Sequence, residues 1–350
     1  PNILGDNIFP GTGKQFVYDL GEQSNFFNAN GQYLFTGFSD QTQIKIIAYG
    51  HVATELPFSM IQIDAGEFTW GEHDSIRSIN YDYEIMEFEV TVPQYVEFLT
   101  HALDSGYVEI WFNYLNSGTD GVYKYYQGDD GHPAGFQRLM FLNGHMDSRI
   151  SWSGSAFIPE AGTIDKPMAG LTYWGAYFFA EFYGLRLPTS EEWEKAARGM
   201  TGNDYPWGDD FDYFSANVDG YNISEDQWDP YEMYGYYDAV EANTPVGFFN
   251  GSTYNYPDGF PNGSEQTEYS SNDGRSIYGV HDMCGNVAEW VLYRTDLENI
   301  SAYETRGGSY YGQHIPTSSG HKTWQLQLNG AGNSTALGFR CAHTVSSQSD

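Results

Sequence analysis

Two cysteines, Cys284 and Cys341, and nine scattered histidines are the chain's candidates for covalent or transition-metal chemistry, and 47 Asp and Glu supply its acid–base and hard-metal candidates. Two cysteines so far apart are either one disulfide or two buried thiols. No two histidines share a helical face at ligand spacing, so surface or turn positions suit them better than a metal centre. A Gly-x-Ser-x-Gly elbow, a Walker loop and a Gly-x-Gly-x-x-Gly turn are all missing, which gives hydrolase, kinase and dehydrogenase chemistry no support. Adjacent acids such as Glu191 and Glu192 suggest glycosidase chemistry, but they sit where capping and the macrodipole of a helix start explain them.

Against those acids stand 15 Lys and Arg, a formal charge of -32 over 350 residues, which argues against DNA, RNA or an anionic membrane as partner. So acidic a chain is often disordered, yet 17% of the residues are aromatic, 29 of them Tyr, and that composition folds. The carboxylates then serve a solvated surface or collect divalent cations, and the solvated surface accounts for most. No apolar window reaches the roughly 18 residues of a membrane span. Pro1-Asn2-Ile3-Leu4 does not open a signal peptide, and Pro1 in place of Met suggests a processed or trimmed chain. Sequons at Asn222, Asn250, Asn262, Asn299 and Asn333, with few Lys, lean towards an extracellular or cell-surface location, although chance sequons are common in so Asn-rich a chain.

The elements that must position these residues are legible in places. Residues 1–57 read as a β-rich extension, with "KQFVYDL", "GQYLFTGF" and "TQIKIIAYG" set between turn clusters. Thr91, with Gln94 three residues on and Pro93 in the first turn, predicts a helix that buries Val92, Tyr95, Val96, Leu99, Ala102 and Leu103 and stops at Gly106. A second helix is expected over 171–184. A third follows with Thr189 as cap, Glu192 three on, Trp193, Ala196 and Ala197 inward, Arg198 in the last turn and Gly199 as stop. Residues 200–275 carry few regular elements, and that much irregular chain needs another restraint, for which bound cations are suited.

"MIQIDAGEFTWG", "FEVTVPQYVEFL", "LRLPTSEEWEKAARG", "YPWGDD", "TPVG", "YGVHDMCGNVAEWV", "RGGSYY" and "GFRCA" follow one another in this order. In these motifs the chain resembles the formylglycine-generating enzyme, or sulfatase-modifying factor, family, with 58–350 as the family domain. The resemblance implies an irregular α+β domain related to C-type lectin-like domains, with a small twisted sheet, flanking helices and long loops. Relatives of this fold include oxidases, sulfoxide synthases, ligand-binding variable proteins and structural subunits, so the site must decide the function.

In the family's oxidases a cysteine pair shortly after the Gly-Gly-Ser binds copper as thiolates. Here Ser309 is followed by Tyr310, Tyr311, Gly312, Gln313, His314, Ile315, Pro316 and Thr317, with no sulfur, so the chain resembles a pseudoenzyme. Cys341, in "GFRCA", takes the place of a structural cysteine. The turn holding Cys284 should lie near the end of that strand, so a Cys284–Cys341 disulfide is expected, with two buried thiols as the alternative. The resemblance also implies two structural Ca²⁺ sites, one from Asp282, Gly285, Val287 and Glu289 and one from Asn217, Val218, Asp238 and Val240.

The function expected is that of a secreted, non-catalytic subunit of a calcium-stabilised, self-associating assembly such as a filament, sheath or surface layer. In it the N-terminal segment would engage a neighbouring copy. The alternative is a lectin-like adhesion module whose 310–336 loop shows Tyr310, Tyr311, His314, His321 and Trp324 to a glycan or protein ligand. A metal-dependent oxidase with other ligands is the third reading.

Overall fold

The computed structural model describes residues 58–71, 73–112, 120–129, 132, 134–142, 148–212, 214–218, 243–255, 268–292, 303–310 and 336–345, with the strand backbone at 323–325 and in parts of 1–57. The chain divides into two compact units, Pro1–Pro57 and Phe58–Asp350. In the first, β1 (Gln15–Asp19) pairs antiparallel with β4 (Gln43–Ile47), and β2 (Asn25–Phe27) with β3 (Tyr33–Thr36).

The second unit spreads its strands over several small sheets, in place of the one small sheet the resemblance implies. β5 (Met60–Ile63), β8 (Tyr83–Met86) and β20 (Ala342–Thr344) form one sheet with β8 central, so that Ile61, Ile85 and Ala342 stand in one row. β6 (Gly66–Trp70) and β7 (Ser75–Ile79) are a hairpin. β9 (Glu109–Trp111), β10 (Gly121–Tyr126) and β11 (Gly135–Phe141) make a meander with β10 in the middle. β12 (Ile150–Trp152) pairs with β13 (Phe157–Pro159), and β14 (Thr253–Asn255) with β15 (Glu268–Ser270). β16 (Ala288–Trp290) lies between antiparallel β17 (Tyr303–Arg306) and parallel β19 (Leu337–Gly338), and β18 (Thr323–Gln325) extends the sheet beyond β17.

Two of the helices begin where their caps predict. Helix α1 (Val92–Asp104) starts on the Thr91–Gln94 capping box with Pro93 in its first turn. Its inner face holds Val92, Tyr95, Leu99 and Ala102 as expected, but also Phe98, while Val96 and Leu103 are only half-buried. The face is rotated because α2 (Tyr173–Phe182) lies alongside, where Phe179 meets Tyr95 at 5.7 Å and Phe98 at 5.3 Å, and Phe182 meets Phe98 at 5.3 Å. Helix α2 is apolar on nearly every side and is buried accordingly. It approaches β11 so closely that a Cβ on Gly175 would lie 2.5 Å from the Leu139 carbonyl oxygen. Helix α3 (Ser190–Arg198), with its Thr189–Glu192 capping box and Gly199 at φ 55°, packs Trp193, Ala196 and Ala197 into a core with Ile63, Phe68, Tyr83, Ile85, Met283 and Ala342. Among the described residues no helix is long and apolar enough to cross a membrane.

Candidate functional site

The run from Asp282 to Val287 turns sharply between the core and β16. Asp282, Gly285 and Asn286 all adopt left-handed φ values, 55°, 81° and 57°, which Asp, Asn and Gly tolerate best. Two hydrogen bonds tie this turn to the Gly-Gly turn after β17: the Gly285 amide donates to the Gly307 carbonyl at 2.9 Å, and the Tyr310 amide to the Asn286 carbonyl at 3.0 Å. A third runs from the Asn286 amide to the Asn217 carbonyl at 2.7 Å. Gly285 has no room for a side chain, since a Cβ would sit 2.1 Å from that Asn217 oxygen.

Three carboxylates, Glu89, Asp282 and Glu289, are buried around this turn with one guanidinium, Arg340. Arg340 donates from Nε to Glu289 Oε2 at 2.8 Å and from Nη2 to Oε1 at 2.7 Å, and Trp193 Nε1 adds a bond to Oε2 at 3.0 Å. Arg340 also donates to the carbonyls of Met86, Glu87 and His281. Glu89 accepts from Asn286 Nδ2 at 2.7 Å and the Val287 amide at 3.2 Å, and Asp282 Oδ2 from the Gly247 amide at 2.6 Å. Burial, with Asp282 and Glu289 adding repulsion, holds the Glu89 carboxyl well above the ordinary carboxylate range. Burial likewise pushes Asp282 up to about 6, against the pull of the Gly247 amide and Arg340.

A hard cation would relieve the repulsion among these buried carboxyl groups, and this turn is where the Ca²⁺ implied by the resemblance would sit. Asp282 and the carbonyls of Gly285 and Val287 are the residues that would hold the ion. Glu289, also expected as a ligand, has both carboxylate oxygens engaged by Arg340 and Trp193. Among the described residues no three His, Cys, Asp or Glu side chains gather as a metal-binding group, so a cation here would lean on carbonyl oxygens. Of the second set, Asn217 and Val218 are buried beside the same turn, while Asp238 and Val240 lie outside the described residues.

The expected disulfide is corrected. Cys284 packs with Ala216 and Val218, and Cys341 lies under Met86, whose sulfur receives the Cys341 amide at 3.3 Å. The two sulfurs are not bonded to each other, because the turn and the strand bury them in different packing environments. Burial pushes the Cys341 thiol well above its ordinary value.

A second buried charge cluster braces α3. Glu194 pairs with Arg198 at 2.8 Å and Arg306 at 2.5 Å, and Ser190 hydrogen-bonds Glu304. None of Glu89, Glu194, Arg306 and Arg340 stood out in the sequence as a site residue. Their signal was there, since all four fall inside the quoted motifs.

Of the expected display residues, Tyr310 is half-buried on the Asn286 turn, and Trp324 lies on β18 opposite Glu304. Tyr311, His314 and His321 lie outside the described residues, as do Asn222, Asn262, Asn299 and Asn333. Asn250 is half-buried, and its Nδ2, the atom a glycan would need, donates to the Gly247 carbonyl at 3.0 Å.

The chain is 30% identical over 200 residues to the serine/threonine-protein kinase pkn1 of Chlamydia caviae, a match covering 56% of this chain and 24% of that one. It is 28% identical over 194 residues to the inactive C-alpha-formylglycine-generating enzyme 2 of Bos taurus, 53% of each chain. The chain thus spans about a quarter to a half of the length of these relatives. Among solved structures, CarF aligns at a TM-score of 0.46 and 18% identity, covering 83% of this chain and 99% of CarF. The family model of the sulfatase-modifying factor enzyme 1-like domain matches residues 50–345, and the chain belongs to that family.

Proposed function

We propose that this chain is a non-catalytic member of its family, a building block of an extracellular assembly that binds structural calcium. The observation that carries the reading is where the sulfur lies. Thiol-based oxidation needs accessible thiolates that can hold soft copper. Cys284 and Cys341, the chain's two cysteines, are 3% and 0% exposed and serve as packing. The Gly-Gly-Ser turn remains, but its backbone is bonded to the 282–287 turn and does the work of a frame. A bovine relative whose name includes the word inactive supports a non-catalytic reading of the domain.

Calcium, held by Asp282 and the carbonyls of Gly285 and Val287, would tie the irregular loops to the β16 sheet, and its binding energy would count as folding energy. The acidic surface, the sequons and the scarcity of Lys support an extracellular site of action. The N-terminal unit would supply an open-ended contact to a neighbouring copy.

Two measurements test this reading. Incubated with copper and a cysteine-containing peptide, the protein should form no aldehyde; turnover would overturn the non-catalytic assignment. By light scattering the full chain should grow beyond the monomer with concentration, and a monomer at every protein and calcium concentration would overturn the assembly.

A further inference from the structure

We infer that the outward face of the β9–β10–β11 sheet is a two-fold interface with a second copy of this chain. The inference rests on the self-association proposed above and adds a two-fold contact to the open-ended one proposed for the N-terminal unit.

Alternation along β10 divides its side chains between two faces. Val122, Lys124 and Tyr126 face inward: Tyr126 meets Trp174 of α2 at 4.6 Å, and the Lys124 ammonium lies 3.7 Å from the centre of the Tyr107 ring. An antiparallel sheet covered on one side ordinarily shows polar residues on the other. Here the outer face carries Trp111, Tyr123, Tyr125 and Phe136, and three of them are 42%, 45% and 45% exposed (Trp111, Tyr125 and Phe136). Their rings form one row: Tyr123 to Trp111 at 4.5 Å, Trp111 to Phe136 at 4.7 Å, Phe136 to Tyr125 at 5.2 Å. Rings that already hold one another lose little freedom when a partner covers them, and exposed aromatic clusters of this kind mark protein interfaces.

The charges on this face identify the partner. Tyr123 stands opposite Glu109 on β9 and opposite Arg138 on β11, so an acid and a base flank it at the same level of the sheet. Glu109 accepts the Trp111 indole N–H at 3.0 Å. Arg138 lies over the Phe141 ring at 3.7 Å, makes no ion pair with a described carboxylate, and has its Nε buried without a hydrogen-bond partner among the described residues. In a chain with 47 acids and 15 cations, an arginine with no ion pair to a described carboxylate is conspicuous. A two-fold axis running along β10 sets Glu109 of each copy opposite Arg138 of the other, giving two ion pairs around a shared aromatic row. Copies that repel over most of their surface can meet where charge is locally balanced. A neutral glycan fits the face less well, because Trp111 and Tyr123 stack 18° from parallel and cover each other's flat sides.

Sedimentation velocity on the full chain, with Arg138→Glu, Glu109→Arg and the double charge swap, tests this. Each single variant should weaken dimerisation about tenfold or more, and the swapped double variant should recover it. Wild-type association that both single variants leave unchanged would overturn this interface and leave the proposed assembly standing. A wild-type monomer throughout would remove both readings. A monomer whose tryptophan emission shifts with a neutral polysaccharide would give the face to a glycan and overturn the inference.

Discussion

Arg340 and Glu289 meet as a doubly hydrogen-bonded ion pair with both side chains wholly inside the protein. Such a pair adds little over an apolar replacement, but removal of one partner is costly because the other charge stays buried. The two halves are unequal here. Without Glu289, Arg340 keeps three backbone carbonyls; without Arg340, Glu289 keeps the Trp193 indole and faces the carboxylates of Glu89 and Asp282. We therefore expect Glu289→Gln to cost about 3 kcal/mol and Arg340→Met more, about 4–5 kcal/mol, as read from urea unfolding at pH 7. Equal losses, or losses under about 1 kcal/mol, would show that the pair is not buried as described.

Gly285 separates backbone conformation from space. Gly279, at φ 88°, has nothing within 4 Å of the Cβ position, whereas Gly285, at φ 81°, would drive a Cβ into the Asn217 carbonyl. Ala at 279 should cost about 1–2 kcal/mol for the left-handed conformation alone. Ala at 285 should cost that amount plus the displacement of the 217–218 segment, enough to lower soluble yield. Comparable melting temperatures for the two variants would count against the close approach.

How much of this was legible follows from where the information sits. The capping boxes at Thr91–Gln94 and Thr189–Glu192 are local, so the starts of α1 and α3 could be read directly. Phe98 was missed because its burial depends on Phe179 and Phe182 of another helix, a fact that α1's own spacing does not contain. The disulfide failed for a related reason: an approximate meeting of the 282–287 turn with the β20 region leaves open which way each sulfur points. Arg340 and Glu289 stood inside the recognised motifs, but their pairing is a tertiary fact. The aromatic face was least legible of all, since Tyr123 and Tyr125 join Trp111 and Phe136 only after three strands are in register.

Calcium should reverse the effect of one substitution. Asp282 is buried in a site with excess negative charge, so Asp282→Asn should raise the melting temperature of chelator-treated protein while still accepting the Gly247 amide. Wild-type protein should gain about 2–3 kcal/mol when calcium is added at roughly a hundredfold its dissociation constant, and the variant markedly less. The two melting curves should therefore cross in order between chelator and calcium. A wild-type curve that calcium does not move would end the calcium proposal.

Thiol chemistry bears most directly on function. Cys341 is fully buried with its thiol held in the neutral form, and Cys284 is closed off by Ala216 and Val218. A thiolate reagent at pH 8 should therefore label neither residue quickly in the native protein, and should label both once the chain is denatured without reductant. No titratable thiol after denaturation would restore the bridge. Rapid labelling of a native cysteine would reveal an accessible nucleophile and undercut the non-catalytic reading. Cys341→Ser should cost about 1–3 kcal/mol, the price of a hydroxyl in an apolar site, and leave self-association of the folded fraction unchanged. A variant that folds as well as wild type yet no longer assembles would mean that Cys341 does more than pack.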